Sequence, residues 1–256
     1  MLPTYCAGVL STMSTRTARH SRWLLGGGVG LVLVCLSIQP LIPRESGGRF
    51  ALTSLLFSLA IGSAIVAAVF WSRARPAVFA LVARTRGFRT LPHISNAFIA
   101  LAMMFFTAAN VAWRLGRGQW RPDSPSLDLA LGVLVAVTAV HTVAVWRDVI
   151  GVHLLPDCLV ARGPFGTLTV PWDAPAPGYP LPAPPAATHL TVVYARPELV
   201  RRRGLILRGR IPVDNVDPLF LGYAIAFYVA NPQRRQAIGT ETEYQRLLHE
   251  PNPETP

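Results

Sequence analysis

The sequence predicts a membrane α + β protein: four membrane-spanning helices, then a small antiparallel β-barrel or sandwich closed by a C-terminal helix. Three observations predict it. Hydrophobic residues make up 51% of the 256 and charged residues 14%, with a mean hydropathy of +0.38, which is too oily and too weakly charged for an ordinary soluble chain. Four apolar runs approach or reach the ~20 residues that a helix needs to cross a ~30 Å hydrocarbon core. After residue 147 those runs stop, and short alternating segments broken by Gly, Pro and Asp take over.

The expected spans are 23–43, 50–71, 97–114 and 127–146. Trp23, Trp71, Trp113 and Trp146 stand at their ends, where amphipathic indoles favour the interface. The net charge of +11 comes entirely from arginine on the basic side, since the chain has no lysine. In a spanning chain such an excess points to an anionic membrane surface rather than to nucleic acid. The distribution of arginines near the spans sets the expected orientation. Arg16, Arg19, Arg22, Arg73, Arg75, Arg84, Arg86, Arg89 and Arg147 lie on one side; Arg44, Arg49, Arg114, Arg117 and Arg121 lie on the other. Both termini are therefore expected in the cytoplasm, with the protein in the cell (inner) membrane.

The organisation expected is an N-terminal arm (1–22), a four-helix membrane domain (23–147), a cytoplasmic β module (148–249) and a tail (250–256). The first span is too long for a signal-peptide core and lacks a small-x-small cleavage site, so it reads as a retained anchor. MSTRTARHSRW, from Met13, reads as a more natural start, leaving 1–12 as an extension or a disordered tail. The central connection, SRARPAVFALVARTRGFRTLPHIS, carries a short apolar stretch at 77–83 between arginines. It reads either as a segment lying in the interface, with Arg73, Arg75, Arg84, Arg86 and Arg89 meeting head groups, or as a solvated loop.

Asn110, Thr138, His141 and Thr142 are the polar residues inside the spans. An ionisable group at membrane depth is a candidate pathway residue, and equally a hydrogen-bonding link between helices. The cysteines Cys6, Cys35 and Cys158 follow no metal-site or disulfide spacing. No nucleophile elbow, phosphate loop, zinc-protease or dinucleotide motif occurs in its required context. No catalytic residue, metal ligand or cofactor is expected.

In the β module, strands are expected at 149–155, 159–162, 167–172, 188–195 and 204–213. Asp217-Pro218 opens a helix whose Leu221, Ala224, Ile225 and Tyr228 share one face. A second helix follows at about 241–248. The segment APAPGYPLPAPPAAT reads as a stiff extended loop, or as a polyproline ligand. Arg201, Arg202, Arg203, Arg208 and Arg210 form the densest basic cluster, suited to an anionic surface or to a solvated sheet edge that resists aggregation.

DVIGVHLLPDCLVARGPFGTLTVPWD and the closing words DP…YVANPQRR…IGTETEY resemble the C-terminal bacterial pleckstrin-homology (PH-like) domain of actinobacterial multi-spanning membrane proteins, over residues 148–249. Cys158 departs from that pattern, which commonly has glycine in the turn, and 174–188 interrupts the central strands. The resemblance implies a PH-like fold and a membrane location; that family carries no established catalytic chemistry. The expected role is non-enzymatic: the module binds a protein or peptide partner, or the membrane surface, as a scaffold. The other reading is a small transporter or channel component with a regulatory module. The oligomeric state is left open.

Overall fold

The computed structural model describes residues 4–43, 47–71, 77–82, 86–117, 125–184, 187–213 and 216–249. In chain order, α1 covers Thr4–Ile38 and α2 Gly48–Trp71. Strands β1 (Phe79–Val82) and β2 (Gly87–Thr90) follow, then α3 (Ile94–Arg117) and α4 (Pro125–Trp146). The rest comprises β3 (Gly151–Leu154), β4 (Cys158–Gly163), β5 (Gly166–Pro171), β6 (His189–Thr191), β7 (Arg201–Gly204), β8 (Arg210–Pro212), α5 (Pro218–Ala230) and α6 (Glu241–His249). Two compact units result, one built on Ala18–Ser72 and Ile94–Asp148, the other on Met1–Thr17, Arg73–His93 and Val149–Pro256.

Four helices of the first unit are long and apolar enough to cross a membrane: His20–Leu41, Gly48–Trp71, Ile94–Leu115 and Pro125–Trp146. α1 begins at Thr4, so the N-terminal arm is helical rather than the tail expected for 1–12. The expected tail, 250–256, lies outside the described residues, as do Arg44 and Arg121. Helix α3 is the most buried of the four and packs chiefly on α2. Its Ala97, Ala100, Leu101, Met104, Ala108 and Ala112 recur at three- and four-residue spacing and are all buried, so mostly small side chains let neighbouring backbones approach. Rings interlock along that seam, Phe57 edge-on to Phe106 at 5.8 Å and Phe70 stacked on Phe98 at 6.0 Å. Most other large apolar side chains on α1, α2 and α4 are exposed, as lipid-facing residues would be.

The second unit holds an antiparallel six-stranded sheet in the order β1-β2-β3-β4-β5-β7 and a separate β6-β8 pair. Among the described residues no closed barrel is found: β1 and β7 are the edges of the larger sheet. Here the structure departs from the expected domain order. The central connection, read as an interfacial or solvated loop, supplies strands β1 and β2, and β2 pairs with β3 through Phe88↔Leu154 and Arg89↔His153. Directly paired residues share a face, so register assigns the sides. Phe88, Leu154, Leu159 and Val170 form one cross-strand row and are all buried, as are Val152, Ala161 and Leu168 in the next. That face meets Leu190 of β6, Ile211 of β8 and the helices α5 and α6 in one core.

Aromatic rings lock the β1–β2 hairpin to the helices. Phe79 stacks on Phe88 at 5.9 Å and meets Phe220 at 4.9 Å, while Phe88 meets Tyr244 at 5.7 Å. At the hairpin turn, Gly239 (φ +89°) passes so close that an added Cβ would overlap the Arg86 carbonyl carbon and the Gly87 nitrogen.

The closing words of the sequence now have local reasons. The Asp217 carboxylate accepts the Phe220 amide at 2.9 Å, capping α5, and Pro218 occupies the first turn, where no amide donor is needed. Leu221, Ala224, Ile225 and Tyr228 are buried together, as their spacing predicts. Arg235 donates to the Tyr228 and Val229 carbonyls at the C-terminal end of α5, the end that favours cations, and pairs with Asp173 at 2.8 Å. Thr240 Oγ1 accepts the Glu243 amide at 3.3 Å to open α6. Glu243 itself is only 3% exposed; it accepts from Tyr228 Oη at 3.2 Å and is neutralised by Arg246 at 2.6 Å. Arg246 also lies 3.8 Å over the Phe227 ring.

Candidate membrane- or partner-contact surface

Each sequence-predicted arginine of the 201–210 cluster is exposed, and the five flank the turn at 205–209 in sequence. Arg201, Arg202 and Arg203 lie on the edge strand β7, opposite Thr169, Leu168 and Thr167 of β5. The single strand expected over 204–213 is instead broken by Gly204 (φ +75°) and Gly209 (φ +76°). Glycine is required at 204, since an added Cβ would overlap the Phe165 carbonyl oxygen. The break turns residues 205–209 outward. Leu205 is 87% exposed and Leu207 60%, with Arg208 beside them and Arg210 opening β8.

The β4–β5 turn joins this tip, because the Leu205 amide donates to the Phe165 carbonyl at 2.9 Å and Phe165 is 39% exposed. Three large apolar side chains are thus exposed at this end of the sheet, with Arg203 and Arg208 adjoining in sequence, while Arg202, paired with Leu168, lies on the other face of β7 from Arg201 and Arg203. Among the described residues the nearest carboxylate in sequence is Glu198, at the turn before β7. Sequence reasoning singled out the arginines but missed Phe165, Leu205 and Leu207. Their signal was GPFG, which read as a turn without its phenylalanine being singled out, and GLIL, which read as strand.

The central-loop arginines are not gathered here. Arg86 stands in the β1–β2 turn (φ +44°), at the end of the hairpin opposite Thr90, and Arg89 lies within β2. Where an interfacial or solvated loop was expected, Arg89 is carried by a strand and Arg86 by the hairpin turn that precedes it. Arg73, Arg75 and Arg84 lie outside the described residues. Strands β3, β4 and β5 separate Arg89 from β7, about 19 Å at the usual strand spacing.

Between these groups, the outer face of the sheet is itself basic. The row Arg89, His153, Val160, Thr169, Arg201 adjoins the row Arg162, Thr167, Arg203. Burial and then the adjacent Arg89 and Arg162 hold the His153 imidazole down at about 4, so it stays neutral at physiological pH.

Of the other sequence candidates, some are hydrogen-bonded within the helical unit, while the buried His141 Nε2 and Thr142 Oγ1 make no hydrogen bond among the described residues. In the helical unit Thr107 and Thr138 hydrogen-bond at 2.9 Å, the Gln39 amide donates to the Ala112 carbonyl at 2.8 Å, and His141 is buried. Asn110 donates back to the Phe106 carbonyl of its own helix. Arg114 of α3 pairs with Asp128 of α4. The Pro-rich segment packs against α5, with Pro180 buried beside Gly222. Among the described residues, no three metal-ligating side chains converge. No protein-family model, curated protein or solved structure matches this chain.

Proposed function

We propose that this chain is a non-enzymatic, multi-pass membrane protein whose PH-like module engages the anionic surface of the membrane that holds it, with both on the cytoplasmic side. One observation carries the reading: Phe165, Leu205 and Leu207 are exposed together at one end of the sheet, in a segment flanked by the exposed Arg201, Arg202, Arg203, Arg208 and Arg210. An arginine near an anionic lipid surface contributes about 1 kcal/mol, and removing a leucine side chain from water contributes roughly 1.5–3 kcal/mol. The pair of terms suits a bilayer interface, where both gains are made at once.

Connectivity supports this. Four residues separate the end of α4 from β3, and three separate β2 from α3. Register puts the start of β3, the end of β2, the β4–β5 turn and the end of β7 at the same end of the sheet. The strand ends that carry the tip are therefore the ones joined by short links to apolar helices. The β2–β3 pairing adds a topological argument independent of arginine counting. A hydrogen-bonded strand pair cannot straddle a bilayer, so the connection after α2 and the chain after α4 emerge on one face. Tethering also raises the effective concentration of a weak surface binder.

The test places an environment-sensitive dye on Phe165→Cys in the full chain, with the native cysteines replaced, reconstituted in nanodiscs. In bilayers containing phosphatidylglycerol, the dye emission is expected to shift to the blue and to be quenched by bilayer-borne quenchers. In purely zwitterionic bilayers both effects weaken several-fold. A dye equally exposed to water in both lipids overturns the reading, and a protein partner would then be sought at the tip.

A further inference from the structure

The larger sheet ends on β7, which pairs with β5 on one side only. Its four residues are all exposed, Gly204 among them, which has only backbone to show. Register decides which backbone groups face outward. Gly163 and Gly166 close the β4–β5 hairpin as a directly paired couple, and the Leu205 amide donates to the Phe165 carbonyl. Hydrogen-bonded and non-bonded pairs alternate along an antiparallel ladder, so Thr167 and Thr169 bond Arg203 and Arg201. The N–H and C=O of Arg202 therefore point away from β5, along the open edge. Side chains divide differently: Arg201 and Arg203 stand on the outer face with Thr169 and Thr167, and Arg202 on the opposite one. Among the described residues, none of these three guanidiniums pairs with a carboxylate.

We infer that β7 is the docking edge for an extended acidic segment of a partner protein, which joins the sheet as a further strand. Such a segment would exchange two backbone hydrogen bonds with Arg202, leaving Arg201 and Arg203 as the flanking non-hydrogen-bonded positions. Cross-strand Cα atoms there approach to about 4.5 Å, the closer of the two spacings, so carboxylates two residues apart meet both guanidiniums on one face. Arg162 adds to the charge of that face, in the row Arg162, Thr167, Arg203. Charge selects the occupant. Three consecutive arginines repel a second β7 or any other basic strand, the usual service of charge on an edge, and they favour an acidic one for the same reason. A lipid head group or other small anion would satisfy the guanidiniums but leave the Arg202 amide and carbonyl to water. The inference goes beyond the bilayer reading and does not rest on it. It uses the side of β7, whereas Phe165, Leu205 and Leu207 lie at the C-terminal end of that strand.

The experiment uses the full chain in phosphatidylcholine nanodiscs, which offer no anionic lipid, and a short fluorescein-labelled peptide alternating Glu and Thr. Fluorescence anisotropy should show saturable binding. Arg201→Gln/Arg203→Gln should weaken it about tenfold, through the loss of two opposite-charge cross-strand pairs. Arg202→Pro and Arg202→Gln remove the same charge, but only the first removes the outward amide. Arg202→Pro should therefore bind about fivefold more weakly than Arg202→Gln. An edge position whose N–H faces solvent tolerates proline, and unchanged hydrogen exchange in β4 and β5 checks that the sheet is intact. In the parent chain, the Arg202 amide should exchange more slowly with the peptide bound. Equal affinities of Arg202→Pro and Arg202→Gln in an intact sheet overturn the inference, as does an Arg202 amide whose exchange the bound peptide leaves unchanged. Either result would mean that the arginines attract anions without adding a strand. Absence of binding overturns it outright.

Discussion

Phe88→Ala costs the β-rich unit about 3–5 kcal/mol, the range for deleting a fully buried aromatic side chain. Small domains are stable by only about 5–15 kcal/mol in total, so this one truncation removes a large share. The size follows from what Phe88 joins. It stands in β2, stacks on Phe79 of β1 and meets Tyr244 of α6, so it ties the hairpin to a helix from the far end of the chain. Pulse proteolysis in denaturant, followed through peptides of β3 to β5, should show a markedly lowered midpoint. A midpoint within error of the parent would mean that the hairpin only rests on the module. By the same logic, a fragment beginning after residue 147 lacks β1 and β2, so Phe220 and Tyr244 lose their ring partners and β3 becomes an open edge.

Gly239→Ala is the second large effect, about 3 kcal/mol or more, from two additive causes. At φ +89° an L-residue with a Cβ is strained, and the added carbon would collide with Arg86 and Gly87 backbone atoms that no rotamer change can move. Relief requires either the α5–α6 connection or the hairpin turn to withdraw. Hydrogen exchange should therefore accelerate in β1–β2 and at the start of α6 together, while exchange in α2 and α3 is unchanged. Acceleration confined to α6 would contradict the close approach.

The parts of the fold that were legible in the sequence depend on local pattern. Apolar length marks α2 and α4, since no other arrangement of 20 oily residues is as common. The Asp217-Pro218 start and the three- and four-residue spacing of Leu221, Ala224, Ile225 and Tyr228 mark α5 and its buried face. Alternation and the Gly163-Pro164 turn mark β4 and β5. What escaped depends on long-range pairing. FALV and GFRT are good strand words, but between two spans they read as a connection, because their partner β3 begins some sixty residues later. Glu243 reads as a solvated carboxylate until Tyr228 and Arg246 are seen beside it.

The candidate surface divides in the same way. Its charges were legible because arginine density is a property of sequence alone. Its apolar centre was not, because GLILRGRIPV has the composition of a strand. Only the left-handed glycines at 204 and 209 and the register of β7 with β5 throw Leu205 and Leu207 outward.

The central claim is that the connection between α2 and α3 and the chain after α4 form one sheet. In a chain whose native cysteines are replaced, Arg89→Cys and His153→Cys should form a disulfide under mild oxidation, since directly paired strand residues have Cα atoms about 4.5–5.5 Å apart. Arg89→Cys with Arg203→Cys should not, because β3, β4 and β5 intervene. Efficient linkage of the first pair and none of the second is the predicted result in membranes. No linkage within the first pair, while both introduced thiols react freely with a soluble reagent, would contradict the account.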